Sequence, residues 1–348
     1  MKAMKKTKKK IALALVGAGG IGRLWAEAIR EAKGVRLAAV VDVNEKSALK
    51  IAEHFPACAV KKDWKDILND KTLDAVLVAT PHKWLAPISY AALSAGKHVF
   101  SEKPSGVTAA EIKKNIAMAK RKNMVYMPGF NHRYHPAYMK AREIFEKGGI
   151  GKIDFIRARY GFGGRPGYNK EWRFNKAIAG GGELLDQGMH MIDMARWFLG
   201  DFEKIYGFAE NFFWGGGVED NGFLLMRTKN GRVASIHVSW TNWEWVHSFE
   251  IFGDKGYLLI DGLDTRYKGP ERLTWGRRDP TFARPREEAF VFNEERKQHS
   301  LRREMENFVS AIRGGPAQRK KFPRGEDVYE VLKIVEHIYH KQHGHAQK

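Results

Sequence analysis

Two rhythms of apolar positions divide the chain. As far as Met127, short unbroken apolar runs alternate with stretches whose apolar residues recur at helical spacing. Ile11–Val16, Val35–Val41, Ala75–Ala79, His98–Ser101 and Met124–Met127 read as strands, with a shorter one at Ala59–Val60. A run that is apolar at nearly every position suits a strand buried on both faces. Between the strands, Leu24, Ala28 and Ile29 mark a first helix. Trp64–Leu68 reads as a helical turn, Ile88–Ala95 as a helix closed by Gly96, and Ala109–Lys120 as another helix. Repeated strand–helix units predict a doubly wound parallel sheet.

Beyond Met127 the rhythm becomes strand-like alternation. Ile153–Tyr160 alternates in this way. Asn221–Thr228 and Arg232–Thr241 predict a hairpin about Lys229-Asn230-Gly231, since Asn-Gly suits a tight turn. Ser248–Phe252 and Gly256–Ile260 predict a second, about Gly253-Asp254-Lys255. Glu304–Ile312 and Glu326–His340 read as closing helices. No internal repeat or low-complexity linker separates the halves. The boundary, residues 1–127 against residues 128–348, rests on the change of pattern alone.

The first strand runs into Gly17-Ala18-Gly19-Gly20-Ile21-Gly22, a GxGxxG loop followed by a helix, a second strand and then Asp42. Gly17 allows the tight turn, Gly19 lets backbone approach a pyrophosphate, and Gly22 lets helix and strand pack closely. The helix N-terminus offers free N–H groups and a positive dipole end to the phosphates. Asp42 can accept hydrogen bonds from both hydroxyls of an adenosine ribose and would repel a 2′-phosphate, so NAD is favoured over NADP. The first half is thus expected to be an α/β Rossmann domain binding NAD; the alternative, a glycine-rich helix entry with no ligand, leaves Asp42 without a role. Thr80-Pro81-His82 and Glu102-Lys103-Pro104 also follow strands, at the carboxyl ends where such sheets hold ligands.

These motifs resemble one family, the glucose–fructose oxidoreductase and inositol dehydrogenase family (Gfo/Idh/MocA). The resemblance covers nearly the whole chain. It is carried by the glycine loop, AGKHVFSEKP (Ala95–Pro104), FNHRYHP (Phe130–Pro136), EWR (Glu171–Arg173) and, most specifically, GGGELLDQGMHMIDMARWFLG (Gly180–Gly200). It implies an α+β C-terminal domain with an open, mostly antiparallel sheet that serves substrate binding and oligomerisation. It also implies redox chemistry at a hydroxyl or keto carbon of a sugar, polyol or sugar derivative. The matching residues are Lys103 of the EKP motif, Asp186 and His190 of the glycine-led helix, and Trp172 and Arg173, which in the family often lie against the cofactor. The chain departs from the family where a His often stands four residues after the Pro of the Thr-Pro turn: Leu85 is there, and His82 directly follows Pro81.

Oxidising a secondary alcohol moves a hydride from carbon and a proton from oxygen; the cofactor takes the first, the protein handles the second. An ammonium at Lys103 can hydrogen-bond the reacting oxygen and stabilise developing charge. His190 can exchange the proton near neutral pH. Asp186, four residues earlier, shares a helical face with it and can orient a substrate hydroxyl. Each of the three also has a bland reading: a surface lysine, a packed histidine, part of a metal site. No third ligand at convincing spacing accompanies Asp186 and His190, so no metal is expected. Asn131, Arg133, Tyr134 and His135 open the second domain, as substrate contacts or as a polar turn. Arg157, Arg159 and Arg165 either meet an anionic substrate or form the exposed face of a strand. Trp240, Trp243 and Trp245 either stack on a sugar or build core and interface. Gly180–Gly182 are expected to bring backbone close to cofactor or substrate.

Composition narrows this picture. The chain has 348 residues, 43% hydrophobic and 29% charged, which suits two globular domains. A single cysteine, Cys58, excludes an internal disulfide and fits a reducing, cytoplasmic compartment. No apolar run approaches the length of a membrane span, and the basic, then apolar start runs straight into the glycine loop, unlike a secretion signal. The net charge of +20 raises the question of nucleic acid, but part of it crowds at Lys2, Lys5, Lys6, Lys8, Lys9 and Lys10, and no basic repeat is interleaved with aromatics. The expected partners are a carbohydrate, an anionic one such as a sugar nucleotide being compatible with the charge, and further copies of the chain in a homodimer or homotetramer. The competing class is an NAD-binding, sugar-sensing regulator without turnover.

Overall fold

The computed structural model describes residues 9–263, 267, 269–293 and 298–345. Lys2, Lys5, Lys6 and Lys8 lie outside them. The chain forms two compact units: residues up to Gly106, Ala110–Gly129 and Leu301–Glu326 make the first, and Val107–Ala109, Phe130–Ser300 and the segment from Asp327 make the second.

The first unit begins with β1 (Ile11–Val16), α1 (Gly20–Glu31), β2 (Val35–Val41), α2 (Glu45–Ala52), β3 (Ala59–Lys61) and β4 (Ala75–Val78). It continues with α3 (His82–Ser94), β5 (His98–Glu102), α4 (Ala109–Lys122) and β6 (Tyr126–Gly129). The six strands are parallel in the order β3-β2-β1-β4-β5-β6. The unbroken apolar runs are the central strands: β4 is buried throughout, and β1 from Ala12 onward. Helix α3 starts at His82, six residues before the helix read from the sequence, and runs through Pro87. Leu85 and Ala86, 0% and 3% exposed, supply the packing that carries the helix past the proline. Helix α2, with Asn44 accepting from Ser47 N as its cap, has no counterpart in the sequence reading.

In the second unit come α5 (Pro136–Glu146), β7 (Ile153–Gly161), α6 (Lys176–Ala179), α7 (Met189–Leu199), β8 (Phe202–Glu210), β9 (Asn221–Thr228) and β10 (Val233–Ser239). There follow β11 (Val246–Gly253), β12 (Gly256–Asp261), β13 (Glu271–Arg277) and β14 (Arg286–Phe292). Its eight strands run β14-β13-β12-β11-β7-β10-β9-β8, all antiparallel except the β10–β7 pair. Both expected hairpins form, at β9–β10 and β11–β12. The chain closes with α8 (Gln298–Arg313), α9 (Gly315–Arg319) and α10 (Gly325–His345). From Leu301, α8 packs in the first unit, where Phe308 meets Phe100 edge-on and Phe100 meets Trp25. Among the described residues no helix is long and apolar enough to cross a membrane.

One histidine of the first unit links its stability to pH. At the β5–β6 edge, Val125 N donates to His98 Nδ1 over 3.0 Å, which requires that nitrogen unprotonated. Burial above all, and the Arg319 charge, push the His98 imidazole down to about 4. Its folded pKa is depressed from roughly 6.5, so the stability it contributes is present above that value and is lost as pH falls towards the folded one. Stability is expected to drop by about 3 kcal/mol over this window. Thermal unfolding of His98→Asn checks the assignment: its acid-side loss should be smaller, and an equal loss in both chains would place the effect elsewhere.

Candidate active site

In the first unit, β1 and β4 lie side by side at the point where strand order reverses, so the loops that follow them are neighbours. Gly17 has φ of +104°, and a Cβ there would lie 2.5 Å from Ala79 O. A Cβ on Gly22 would lie 2.0 Å from Gly17 O. Neither position accepts a side chain. Gly19 and Gly20, in contrast, face open space, and Ile21 is 37% exposed. The loop thus presents bare backbone at the start of α1, whose first turn carries no acidic residue. At the end of β2, Asp42 Oδ2 accepts from Ala18 N over 2.6 Å and Oδ1 from Asn44 N over 2.8 Å. Each oxygen keeps a second lone pair, enough for a ribose diol.

Thr80 and Pro81 follow β4. The buried Thr80 Oγ1 makes no hydrogen bond within the described residues, which fits a group awaiting a ligand. His82, on the first turn of α3, is 5% exposed. At the end of β5, Glu102 accepts from Trp25 Nε1 and from Lys103 N, which fastens α1 to the strand and leaves less of its carboxylate for a cofactor. Lys103 is half-buried on the same strand end.

The second unit carries Asp186 and His190. They lie on one continuous segment, a π-turn (Leu184–Gly188) that passes directly into α7. Such widened turns recur at functional sites. Asp186 is 8% and His190 6% exposed, while Met189, Met191 and Met194 are wholly buried. The three glycines before the turn meet protein: a Cβ on Gly181 would lie 2.2 Å from Tyr339 Oη, and one on Gly182 would lie 1.8 Å from Glu219 O. Their bareness serves packing inside this unit, not the expected approach to a ligand.

A chain of charges leads outward from Asp186. Arg173 Nε donates to Asp186 Oδ2 over 3.3 Å, and Arg173 also pairs with Glu171 at 3.5 Å. Burial opposes the Arg173 charge, but the Asp186 and Glu171 carboxylates outweigh it and hold the guanidinium above its ordinary pKa. Arg173 lies 4.7 Å from the Trp172 ring centre. Arg165 grips Glu171 through two hydrogen bonds of 2.8 and 2.6 Å and covers Tyr168. Arg165, Trp172 and Arg173 thus assemble with Asp186.

Two other substrate candidates, Arg133 and Arg157, go elsewhere. Arg133 makes a two-pronged ion pair with Asp193 and reaches Asp327, with its side chain 11% exposed, so its fork is taken up structurally. Tyr134 is 6% exposed. Arg157 pairs with Glu250 across the sheet; strand alternation puts both on the face opposite Tyr160. On that open face Arg159, Asp261 and Arg272 line a pocket of about 420 Å³. Asn131 lies beside His132, 3.2 Å from its Nδ1. Trp240 is core, Trp245 packs against that core, and Trp243 is 66% exposed. The sequence reading missed Glu219 and Tyr339, which hold the turn before Asp186, and the ring of His132 over His190. The NHRYH run was the available signal for the latter. Among the described residues no cluster of three or more His, Cys, Asp or Glu could hold a metal.

Comparison with known proteins agrees with both units. Residues 11–130 match an oxidoreductase family with an NAD-binding Rossmann fold, and residues 138–259 match the Gfo/Idh/MocA C-terminal domain. A levoglucosan dehydrogenase of Pseudarthrobacter phenanthrenivorans is 31% identical over 253 residues, 64% of each chain. A myo-inositol 2-dehydrogenase of Thermotoga maritima is 27% identical over 72% of this chain and 75% of its own. A solved levoglucosan dehydrogenase in complex with NADH and levoglucosan superposes with a TM-score of 0.85 at 26% identity, covering 95% of this chain and 97% of that one. The chain belongs to the Gfo/Idh/MocA family of oxidoreductases, with an NAD-binding Rossmann fold.

Proposed function

We propose that the protein transfers a hydride between NAD(H) and a hydroxyl or keto carbon of a sugar, polyol or sugar derivative. The observation that carries this reading is the buried π-to-α segment, where Asp186 and His190 stand together with Arg173 on the Asp186 carboxylate. Bound NAD supplies the hydride acceptor or donor; Gly17, Gly19, Gly20, Ile21, Gly22, Asp42 and Thr80 would hold it. Trp172 and Arg173 are proposed as further cofactor contacts. In this reading His190 takes the hydroxyl proton during oxidation and returns it during reduction. Lys103 polarises the reacting oxygen. Asp186, fixed by Arg173, accepts from a neighbouring substrate hydroxyl and orients the ring.

Arg165 and Arg173 are already paired with Glu171 and Asp186, so the assembly is close to charge-balanced. That favours an uncharged polyhydroxy substrate over a sugar nucleotide. Levoglucosan and myo-inositol, for which two of the relatives are named, are uncharged. A cytoplasmic homodimer or homotetramer, with the open face of the eight-stranded sheet against another copy, accompanies the proposal.

The test is a panel of levoglucosan, inositols, free sugars and nucleotide sugars, read by NADH absorbance. Turnover is expected with an uncharged member and NAD, and slower turnover with NADP because Asp42 repels its 2′-phosphate. Tight NAD binding without turnover on any member would favour the regulator.

A further inference from the structure

The motif Asn131–Pro136 has so far only a scaffolding part, yet it is built around His190. The His132 ring lies on the His190 ring, centroids 4.0 Å apart and planes inclined by 27°. His132 is 3% exposed. Its surroundings come from four elements. Asn131 Oδ1 is 3.2 Å from Nδ1, which favours the neutral tautomer with the proton on that nitrogen. Tyr160 of β7 and His135 both stand 5.4 Å from the ring centre, His247 of β11 at 5.9 Å and Tyr138 of α5 at 6.3 Å.

These neighbours are themselves tied down. His135 Nδ1 is hydrogen-bonded to Glu271 of β13, whose other oxygen accepts from Ala137 N over 3.0 Å. Tyr138 Oη and His247 Nε2 are 3.1 Å apart. The His132 ring therefore has little freedom to turn.

Two imidazolium rings at this separation in a buried site would repel strongly, so the pair holds at most one proton. A neutral imidazole face against an imidazolium is attractive, as for any cation over an aromatic ring. We infer that His132 is a positioning residue for His190: it sets the plane of the ring and, through the stack, favours the singly protonated pair with the proton on His190. This rests on His190 being the acid/base. The other titratable or charged groups around the pair are Asp186 and Asp193 on the His190 segment, Arg133 bound to Asp193, His135 with Glu271, and Tyr138, Tyr160 and His247. None of the substitutions below alters them.

The experiment is a pH titration of the full chain labelled at histidine Cε1, followed by NMR, with the His190 signal identified by its loss in His190→Ala. In His132→Leu the His190 midpoint is expected to fall by about one pH unit, because burial then acts on the imidazolium without the stack. His132→Phe, which keeps an aromatic face, should recover at least half of that shift. His132→Asn, a smaller change, repeats the comparison should the leucine variant fail to fold. Equal midpoints in wild type and the non-aromatic variants would overturn the inference, as would a fall that phenylalanine does not reverse. Full turnover in His190→Ala would instead remove the acid/base reading without moving these midpoints, so the two failures are distinguishable.

Discussion

Replacing His190 with alanine is expected to lower turnover by a factor of about 10²–10⁴, the usual contribution of a positioned acid/base, while NAD binding stays unchanged. The separation of effects follows from where each group resides. The bare glycine backbone, Asp42 and Thr80 all belong to the first unit, and His190 belongs to the second, buried within α7. Removing the imidazole therefore leaves the first unit's proposed cofactor contacts as they are. Steady-state kinetics on the best substrate of the panel, beside NADH fluorescence titration, checks both halves. Turnover within a few-fold of wild type would refute the assignment; loss of NAD binding would show instead that the substitution had damaged the fold. Lys103→Met is expected to be the milder change if Lys103 only polarises the oxygen and His190 exchanges the proton.

The sequence made the first unit readable because its constraints are local. Gly17 and Gly22 are needed by sterics within a few residues and against the adjacent strand, and β1 and β4 announce burial on both faces by being apolar throughout. Asp186 and His190 were legible as a pair through their spacing and the family resemblance. What escaped depends on partners far along the chain. No local pattern says that α8 packs from Leu301 onward with Phe100, or that Gly182 meets Glu219. Strand β14 was missed because its first four residues are exposed and only Phe290 and Phe292 mark a period. Arg133 and Arg157 looked alike as cationic candidates, and only tertiary structure separates them: one is buried on Asp193, the other exposed beside Glu250. The stack of His132 on His190 likewise joins residues 58 positions apart, beyond the reach of any periodicity.

The other large effect is expected at Glu219, a residue that no motif marks. Its Oε2 accepts from Gly182 N over 2.9 Å, and its Oε1 accepts from Leu184 N over 3.1 Å and Tyr339 Oη over 2.6 Å. Its backbone oxygen accepts from Glu183 N over 3.1 Å. The side chain thus satisfies the donors of the chain just before the π-turn that carries Asp186, where a helix start leaves N–H groups without internal partners. Glu219→Ala leaves two buried amides and a hydroxyl unpaired at once, so a loss of about 3–5 kcal/mol is expected. Tyr339→Phe removes one donor together with its need for an acceptor and should cost only about 1 kcal/mol. Glu219→Gln should fall between them, because its amide offers one acceptor oxygen and turns an NH₂ group towards a donor. Urea unfolding of the three variants tests this order. If Glu219→Ala proves no less stable than Tyr339→Phe, the turn holds itself, and the carboxylate is not what fixes the backbone beneath Asp186.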